Sequence, residues 1–286
     1  MDPDYDEYKD NSKFKSYVYD FSSSLALFEK AKEWADLIKC LQRVTSIFKK
    51  YSQFPAVVPD KLVFCKRLSQ CCNPALPSGV HLKTLETYEI VFERIGPTKL
   101  AKDLPFYSVG LFPLFANASM QIRPKIIDLL KTYYLPIGKA LQPCLNGLVM
   151  ALVPGLEETN SEFYRSIVKL LDDIGEKVGL QSLFHCLWKI ISLNPSIRIG
   201  AINYMMERIP KKKGSTSGTS SSSSSSSPSP SPSLSSEKDL DTYMPNAQNL
   251  VLTAMIRAID DPVVLVQRAV LDLLLAHFKM SEMISD

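Results

Sequence analysis

The cysteine and histidine side chains could do covalent chemistry in this sequence, and His185 next to Cys186 is their closest pairing. An imidazole can activate a thiol as a nucleophile when the two side chains share a proton. Neighbouring residues on a helix, however, point about 100° apart and do not face each other. We therefore interpret this pair as core residues, and an enzyme with an unfamiliar site around Cys186 stays the alternative.

The sequence contains no motif typical of a metal site, a phosphate-binding loop or an acyl-transfer nucleophile. A structural zinc site needs clustered thiolates or imidazoles, and no Cys-x-x-Cys pair occurs. There is no Gly-rich phosphate loop, His-Glu-x-x-His or Gly-x-Ser-x-Gly stretch. The sequence thus predicts a non-enzymatic protein with no catalytic, cofactor-binding or metal-binding residue. Most of the cysteines have apolar neighbours, which is typical of reduced core thiols; they are Cys40, Cys65, Cys71, Cys72, Cys144 and Cys186.

The basic side chains are the stronger functional lead. The net charge of only +3 argues against nucleic acid as a partner, but residues 41–135 carry 13 Lys and Arg against 6 Asp and Glu, which is +7. We predict that basic residues of successive repeats align along one edge and hold an acidic peptide or an anionic lipid headgroup. A solvated basic flank without a partner is the alternative. The candidate residues are Lys66, Arg67, Lys83, Lys99, Lys102, Arg123 and Lys125.

The spacing of apolar residues predicts helices along the chain. Apolar side chains recur in steps of three and four within Trp34–Phe48 and again within Leu82–Ile95, where Gly96-Pro97 predicts a helix stop. Asp103 predicts another helix start, because its short side chain can accept a free N–H of a first turn. No stretch alternates apolar and polar residues over the length of a strand. The predicted fold class is therefore all-α.

Five segments share a local pattern that predicts repeats. Each has an apolar anchor, a basic or small residue three positions later, and apolar or small residues at the next two positions. The spacings are 42, 41, 34 and 68, and the last becomes 68 − 36 = 32 when an insertion is left out. This period is typical of HEAT or armadillo helix pairs, which stack into an α-solenoid. A compact helical bundle is the alternative. The anchors are Val80, Ile122, Phe163, Ile197 and Leu265.

The insertion is the segment 210–245, which contains a tract of serines and alternating Ser and Pro. It has almost no apolar side chains, so it cannot bury enough surface to offset the entropy of ordering. We predict that it is disordered and that it separates a helical solenoid domain, residues 1–209, from a continuation of the same solenoid, residues 246–286.

Localisation is predicted to be cytosolic. The first seven residues are acidic, where a secretory signal has a basic start. The most apolar stretch, Ala140–Leu156, is interrupted by Pro143 and Pro154 and is shorter than the ~20 residues that a membrane span needs. Any contact with a membrane is therefore expected to be peripheral.

Several stretches resemble one known family. Asn73–Phe92, which reads Asn-Pro-Ala-Leu-Pro-Ser-Gly-Val-His-Leu-Lys-Thr-Leu-Glu-Thr-Tyr-Glu-Ile-Val-Phe, is similar to the signature of the Dopey N-terminal domain. The resemblance spans about residues 10–280 and departs from the family in the Ser/Pro insertion. Further stretches follow in the order of the family; they are Glu33–Leu37, Leu100–Leu104, Gly110–Leu114, Pro154–Glu158, Asn194–Arg198 and Val264–Arg268.

The resemblance implies the N-terminal part of a very large, non-enzymatic scaffold that is peripheral on Golgi, trans-Golgi network and endosome membranes. The implied process is endosome-to-Golgi retrograde transport and Golgi organisation. The implied partners are a large relative of the Arf exchange factors that lacks exchange activity, an aminophospholipid flippase, kinesin light chain and membranes containing phosphatidylinositol 4-phosphate. A dedicated module for phosphoinositide or other anionic lipid is the alternative function. The family supplies no catalytic residue to transfer.

Overall fold

The computed structural model describes residues 7–210, 240–244 and 248–277. Regular structure in these residues is helical throughout, with no strand, so the predicted all-α solenoid class is confirmed. The α-helices are α1 (Ser12–Ala26), α2 (Trp34–Lys50), α3 (Lys61–Cys71), α4 (Ser78–Asn117), α5 (Ile122–Leu129), α6 (Leu145–Leu152), α7 (Tyr164–Val178), α8 (Leu180–Leu193), α9 (Arg198–Arg208), α10 (Leu240–Tyr243), α11 (Gln248–Ile259) and α12 (Val264–His277).

Tighter or wider helical turns join some of these elements. A π-helical turn, Leu130–Tyr134, and a 3₁₀ stretch, Leu135–Cys144, connect α5 to α6. Gly138 interrupts the 3₁₀ stretch with a φ of 62°, a conformation that glycine adopts without steric cost. Other 3₁₀ turns are Leu27–Glu29, Val153–Leu156 and Pro195–Ile197.

Local sequence signals set the beginnings of the first two helices. The Asn11 side chain caps α1 by accepting hydrogen bonds from the backbone N–H groups of Lys13 and Phe14, at 2.9 and 3.3 Å. The Asp36 carboxylate accepts from the N–H of Glu33 at 3.4 Å, one half of a capping box at the start of α2. Both helices then bury their periodic apolar face, as the spacing predicts.

The long helix α4 changes direction at Gly96, whose φ of 72° and ψ of 170° are not helical. The predicted stop at Gly96-Pro97 is therefore confirmed as a break between two helical segments. The predicted helix start at Asp103 is wrong, because this residue lies inside the second segment. Its carboxylate pairs with Lys61 of α3, with Nζ and Oδ1 2.7 Å apart. The Asp103 side chain therefore makes an ion pair with another helix and does not cap the start of its own.

The five repeat anchors all lie at the beginning of a helix. They occupy the cap or the first three residues of α4, α5, α7, α9 and α12. The shared pattern therefore marks equivalent points of five helices along the chain, which is what stacked helical repeats require.

The described residues form two compact units. The first contains α1 to α7, within Met1–Gly155 and Asn160–Gly179. Its core is rich in aromatic rings, and the Arg94 guanidinium donates there to the carbonyl oxygens of Phe48 and Tyr51, at 3.0 and 2.8 Å. The Phe48 carbonyl lies in the last turn of α2, where carbonyls lack a helical donor, and the Tyr51 carbonyl also accepts from the N–H of Phe54 at 3.2 Å.

The second unit contains α8 to α12, within Leu156–Thr159 and Leu180–Asp286. A buried ion pair between Arg198 and Asp261 holds the start of α9 to the turn before α12. Arg198 also donates through Nε to the carbonyl of Ile191 at 2.7 Å, so the guanidinium is bonded in several directions. A buried charge needs this degree of pairing.

The predicted insertion, residues 210–245, lies almost wholly outside the described residues, and the domain ranges 1–209 and 246–286 remain predictions. Residues 240–244, near its end, are described and contain the short helix α10. The Tyr243 ring packs edge-on against Phe184 with centroids 4.7 Å apart. The carbonyl of Tyr243 accepts a hydrogen bond from Trp188 Nε1 at 3.0 Å. Packed structure thus resumes before residue 245.

Candidate functional site

Three of the seven candidate basic residues have an ion-pair or hydrogen-bond partner within the first unit. Arg67 is paired with Glu29, with Nη2 and Oε1 2.6 Å apart. The Lys83 ammonium pairs with a carboxylate three residues along its own helix, Glu86, at 2.7 Å. Lys99 donates to the carbonyl oxygen of Ala56 at 2.9 Å.

A fourth candidate, Arg123, is half-buried at the start of α5, and its Nε is buried without a hydrogen-bond partner among the described residues. The remaining three, Lys66, Lys102 and Lys125, are exposed. They lie on three different helices, α3, α4 and α5. A binding role for the seven residues stays a prediction, and these three carry most of the charge that a partner could reach.

A concave apolar surface of the first unit was not predicted from the sequence. It is a groove of about 460 Å³ between the second segment of α4 and the residues that lead into and form α6, and we call it the α4–α6 groove. The α4 wall consists of Pro105, Ser108, Val109, Phe112, Pro113 and Ala116. The facing wall consists of Pro143, Cys144, Gly147, Met150 and Ala151.

The two walls run in the same direction along the chain. Phe112 faces Gly147, where a Cβ would lie 3.3 Å from Cδ2 of the ring, and Phe115 lies opposite Gly155 further along. Glycine at position 147 therefore lets the two helices approach closely. Equivalent helices of successive solenoid repeats run parallel in this way, and solenoid proteins bind partners on extended concave surfaces.

The α4 segment that forms one wall has apolar residues on its exposed side as well as on its buried side. Of residues 104–116, only Ser108 and Gly110 are not apolar or aromatic. A helix that is apolar all round is normally covered on every side. Here Val109 is 64% exposed and Phe106 is 42% exposed. This all-round apolar character is the sequence signal that would have pointed to the groove.

Two prolines change the hydrogen bonding of the same wall. Pro105 and Pro113 lie inside α4 and have no N–H group. In a regular helix, the N–H of residue 113 would donate to the carbonyl oxygen of Val109, so this oxygen lacks its usual donor. The carbonyl oxygen of Ala101 lacks its usual donor in the same way, because residue 105 is a proline. These acceptors lie on the proline side of the helix, which is the side that forms the groove.

The few polar groups of the groove are held by neighbours. The Ser108 hydroxyl is hydrogen-bonded to the Tyr134 hydroxyl at 3.0 Å. Burial raises the pKa of the Cys144 thiol, and its hydrogen bond with Ser108 offsets part of that shift. Cys144 is partly exposed, whereas the other five cysteines are buried. The groove thus offers an apolar surface with two small polar groups.

The His185–Cys186 pair does not form a nucleophilic site. Cys186 is buried and its thiol pKa is raised by burial, whereas His185 is exposed. The expectation that both are core residues is thus correct for Cys186 and wrong for His185. A thiolate must be accessible to attack a substrate, so the enzyme alternative based on Cys186 loses its nucleophile.

Among the residues that the structure describes, no group of three or more His, Cys, Asp or Glu side chains could hold a metal ion. None of the helices described here is long and apolar enough to cross a membrane.

Comparison with known proteins gives consistent matches. The chain matches the family described as Dopey, N-terminal, over residues 11–286. It is 41% identical over 211 residues to Protein DOP1B of Mus musculus, which covers 74% of this chain and 9% of the mouse protein. It is 39% identical over 203 residues to Protein pad-1 of Caenorhabditis elegans, covering 71% of this chain and 8% of that protein.

The similarity extends to fungi. Protein DOP1 of Saccharomyces cerevisiae is 28% identical over 294 residues, which covers 94% of this chain and 17% of the yeast protein. The chain therefore spans less than a fifth of the length of these relatives. No solved structure matches it. The family match and the identity to relatives from several phyla show that this chain belongs to the Dopey family.

Proposed function

We propose that this chain is part of a non-enzymatic scaffold that works on Golgi, trans-Golgi network and endosome membranes, in endosome-to-Golgi retrograde transport and Golgi organisation. The observation that carries the proposal is the family match over residues 11–286. The helical architecture supports it, because stacked helices present long surfaces to partners. The proposed protein partners are a large relative of the Arf exchange factors without exchange activity, an aminophospholipid flippase and kinesin light chain.

A cellular rescue experiment tests this function. Cells that lack the protein containing this chain should return a recycling cargo from endosomes to the Golgi more slowly, and re-expression of the complete protein should restore the rate. We expect the complete protein without residues 11–286 not to restore it. Normal cargo return in the deleted cells, or full rescue without this segment, would contradict the proposal.

Binding of anionic lipid is a second candidate function, favoured by the three exposed lysines Lys66, Lys102 and Lys125. Membranes containing phosphatidylinositol 4-phosphate are the proposed target. Each lysine near an anionic surface contributes ~1 kcal/mol, so three together would change binding by roughly a hundredfold.

Flotation of residues 1–286 with liposomes, with and without phosphatidylinositol 4-phosphate, tests this second function. We expect lipid-dependent flotation of the wild type and its loss when Lys66, Lys102 and Lys125 are changed to Glu. The matched control changes three other exposed lysines of the first unit, Lys139, Lys169 and Lys177, to Glu. Equal losses in both variants would show general charge attraction, and no flotation of the wild type would leave this segment without a lipid site.

A further inference from the structure

We propose that the α4–α6 groove binds a segment of a partner protein that combines large apolar side chains with Asp or Glu. This inference deepens the proposed scaffold function by giving it a binding surface and a partner chemistry. The groove has the volume of a site for a few apolar side chains, about 460 Å³, and its walls are apolar with few polar groups.

The charge on the groove walls favours an acidic partner. Residues 98–117 and 135–152, which form and flank the two walls, contain three lysines and a single acidic residue, Asp103. That carboxylate is already paired with Lys61 at 2.7 Å. Lys102 is exposed, and it lies three and seven residues before Pro105 and Val109, on the same face of α4. Its ammonium can therefore meet a carboxylate at one end of the groove.

The hydrogen-bonding groups of the groove favour a peptide over the acyl chain of a lipid. The carbonyl oxygen of Val109, a residue of the groove wall, lacks its helical donor because residue 113 is a proline. A peptide has N–H groups to give to such acceptors, whereas an acyl chain has none and would cover them without a bond. Leaving a carbonyl acceptor unsatisfied in an apolar contact costs about 1–3 kcal/mol.

Selection of peptides tests the proposal. A phage-displayed library of random peptides is panned on residues 1–286, and an enriched peptide is synthesised with a fluorescent label for anisotropy. We expect a consensus with two or more large apolar residues and at least one Asp or Glu. Ala116→Trp fills the groove from an exposed position and should weaken binding by about tenfold or more, which is ~1.4 kcal/mol.

Exchanging the charges of Lys102 and of the acidic peptide residue distinguishes a specific ion pair from nonspecific binding. Lys102→Glu should weaken binding of the acidic peptide several-fold, and replacing the acidic residue of the peptide with Lys should restore it. Leu62→Asp changes an apolar residue of α3 that is 61% exposed and does not line the groove, and it should leave binding unchanged. Circular dichroism and thermal melts of each variant confirm that the fold is retained.

Several results of these experiments would contradict binding of an acidic, apolar peptide in the groove. No enriched peptide, a basic consensus, or equal binding to Ala116→Trp would overturn the proposal. Flotation with neutral phosphatidylcholine liposomes that Ala116→Trp abolishes would make the groove a lipid site, and concentration-dependent dimers abolished by the same change would make it a self-association surface. Either result would also overturn it. Because the peptide assay needs no membrane or cell, its failure leaves the transport function standing, and the reverse also holds.

Discussion

At the scale of single residues, the cysteines show how burial determines the protonation of a thiol. Desolvation raises the pKa of Cys65, Cys71 and Cys72 from an ordinary value of 9.0 to about 12. A buried thiol of this kind is neutral at physiological pH and packs as a small apolar side chain. The sequence predicted these residues as reduced core thiols, and their apolar neighbours were a sufficient signal.

The same shifts predict a pH dependence of stability. Between pH 9 and pH 12 the unfolded chain releases thiol protons that the folded chain retains. The stabilisation is therefore complete below about pH 9 and is lost as the pH rises towards 12, by up to ~1.4 kcal/mol per pH unit for each thiol. Urea unfolding under reducing conditions from pH 8 to pH 10.5 measures this slope.

The control for that measurement is the variant with Cys65, Cys71 and Cys72 all changed to Ala. It should be less stable at pH 8, because small cavities remain, but its stability should fall less steeply with pH. Parallel curves for the two proteins would show that these thiols do not retain their protons.

At the scale of helices, the position of α3 against α4 depends on a glycine. A Cβ at Gly110 would lie 2.5 Å from Cα of Ser69, which is a backbone atom and cannot rotate away. Together with the pair between Lys61 and Asp103, this contact fixes where the two helices touch. The groove wall is the other face of the same α4 segment, so this packing also positions the groove.

Gly110→Ala is therefore expected to destabilise the first unit by about 1–3 kcal/mol, because the helices must separate to admit the methyl group. Chemical unfolding followed by circular dichroism measures the loss. Gly79→Ala, near the start of the same helix, is the matched control: its Cβ would make only ordinary contact, at 3.9 Å from Ile38 Cδ1. This control should be neutral or stabilising by up to about 1 kcal/mol. Equal effects of the two changes would contradict the close approach described here.

At the scale of the whole chain, sequence reasoning predicted the class of fold better than the site. Apolar spacing reports burial directly, so α2 and the first segment of α4 lie where the period placed them. Charge alone does not show which ammonium groups the fold itself uses, and Lys83 and Lys99 turned out to have partners. The groove was missed because its two walls are separated by more than 25 residues of chain.

Cys144 gives the α4–α6 groove a consequence of its own. All six cysteines lie in the described residues, and this one alone is not fully buried. An alkylating reagent should therefore react first with a thiol on the groove wall, at a rate slowed by the raised pKa of that thiol. Any molecule that fills the groove shields the same sulfur. The unmodified protein thus contains a natural reporter, and occupancy of the groove can be read as a labelling rate.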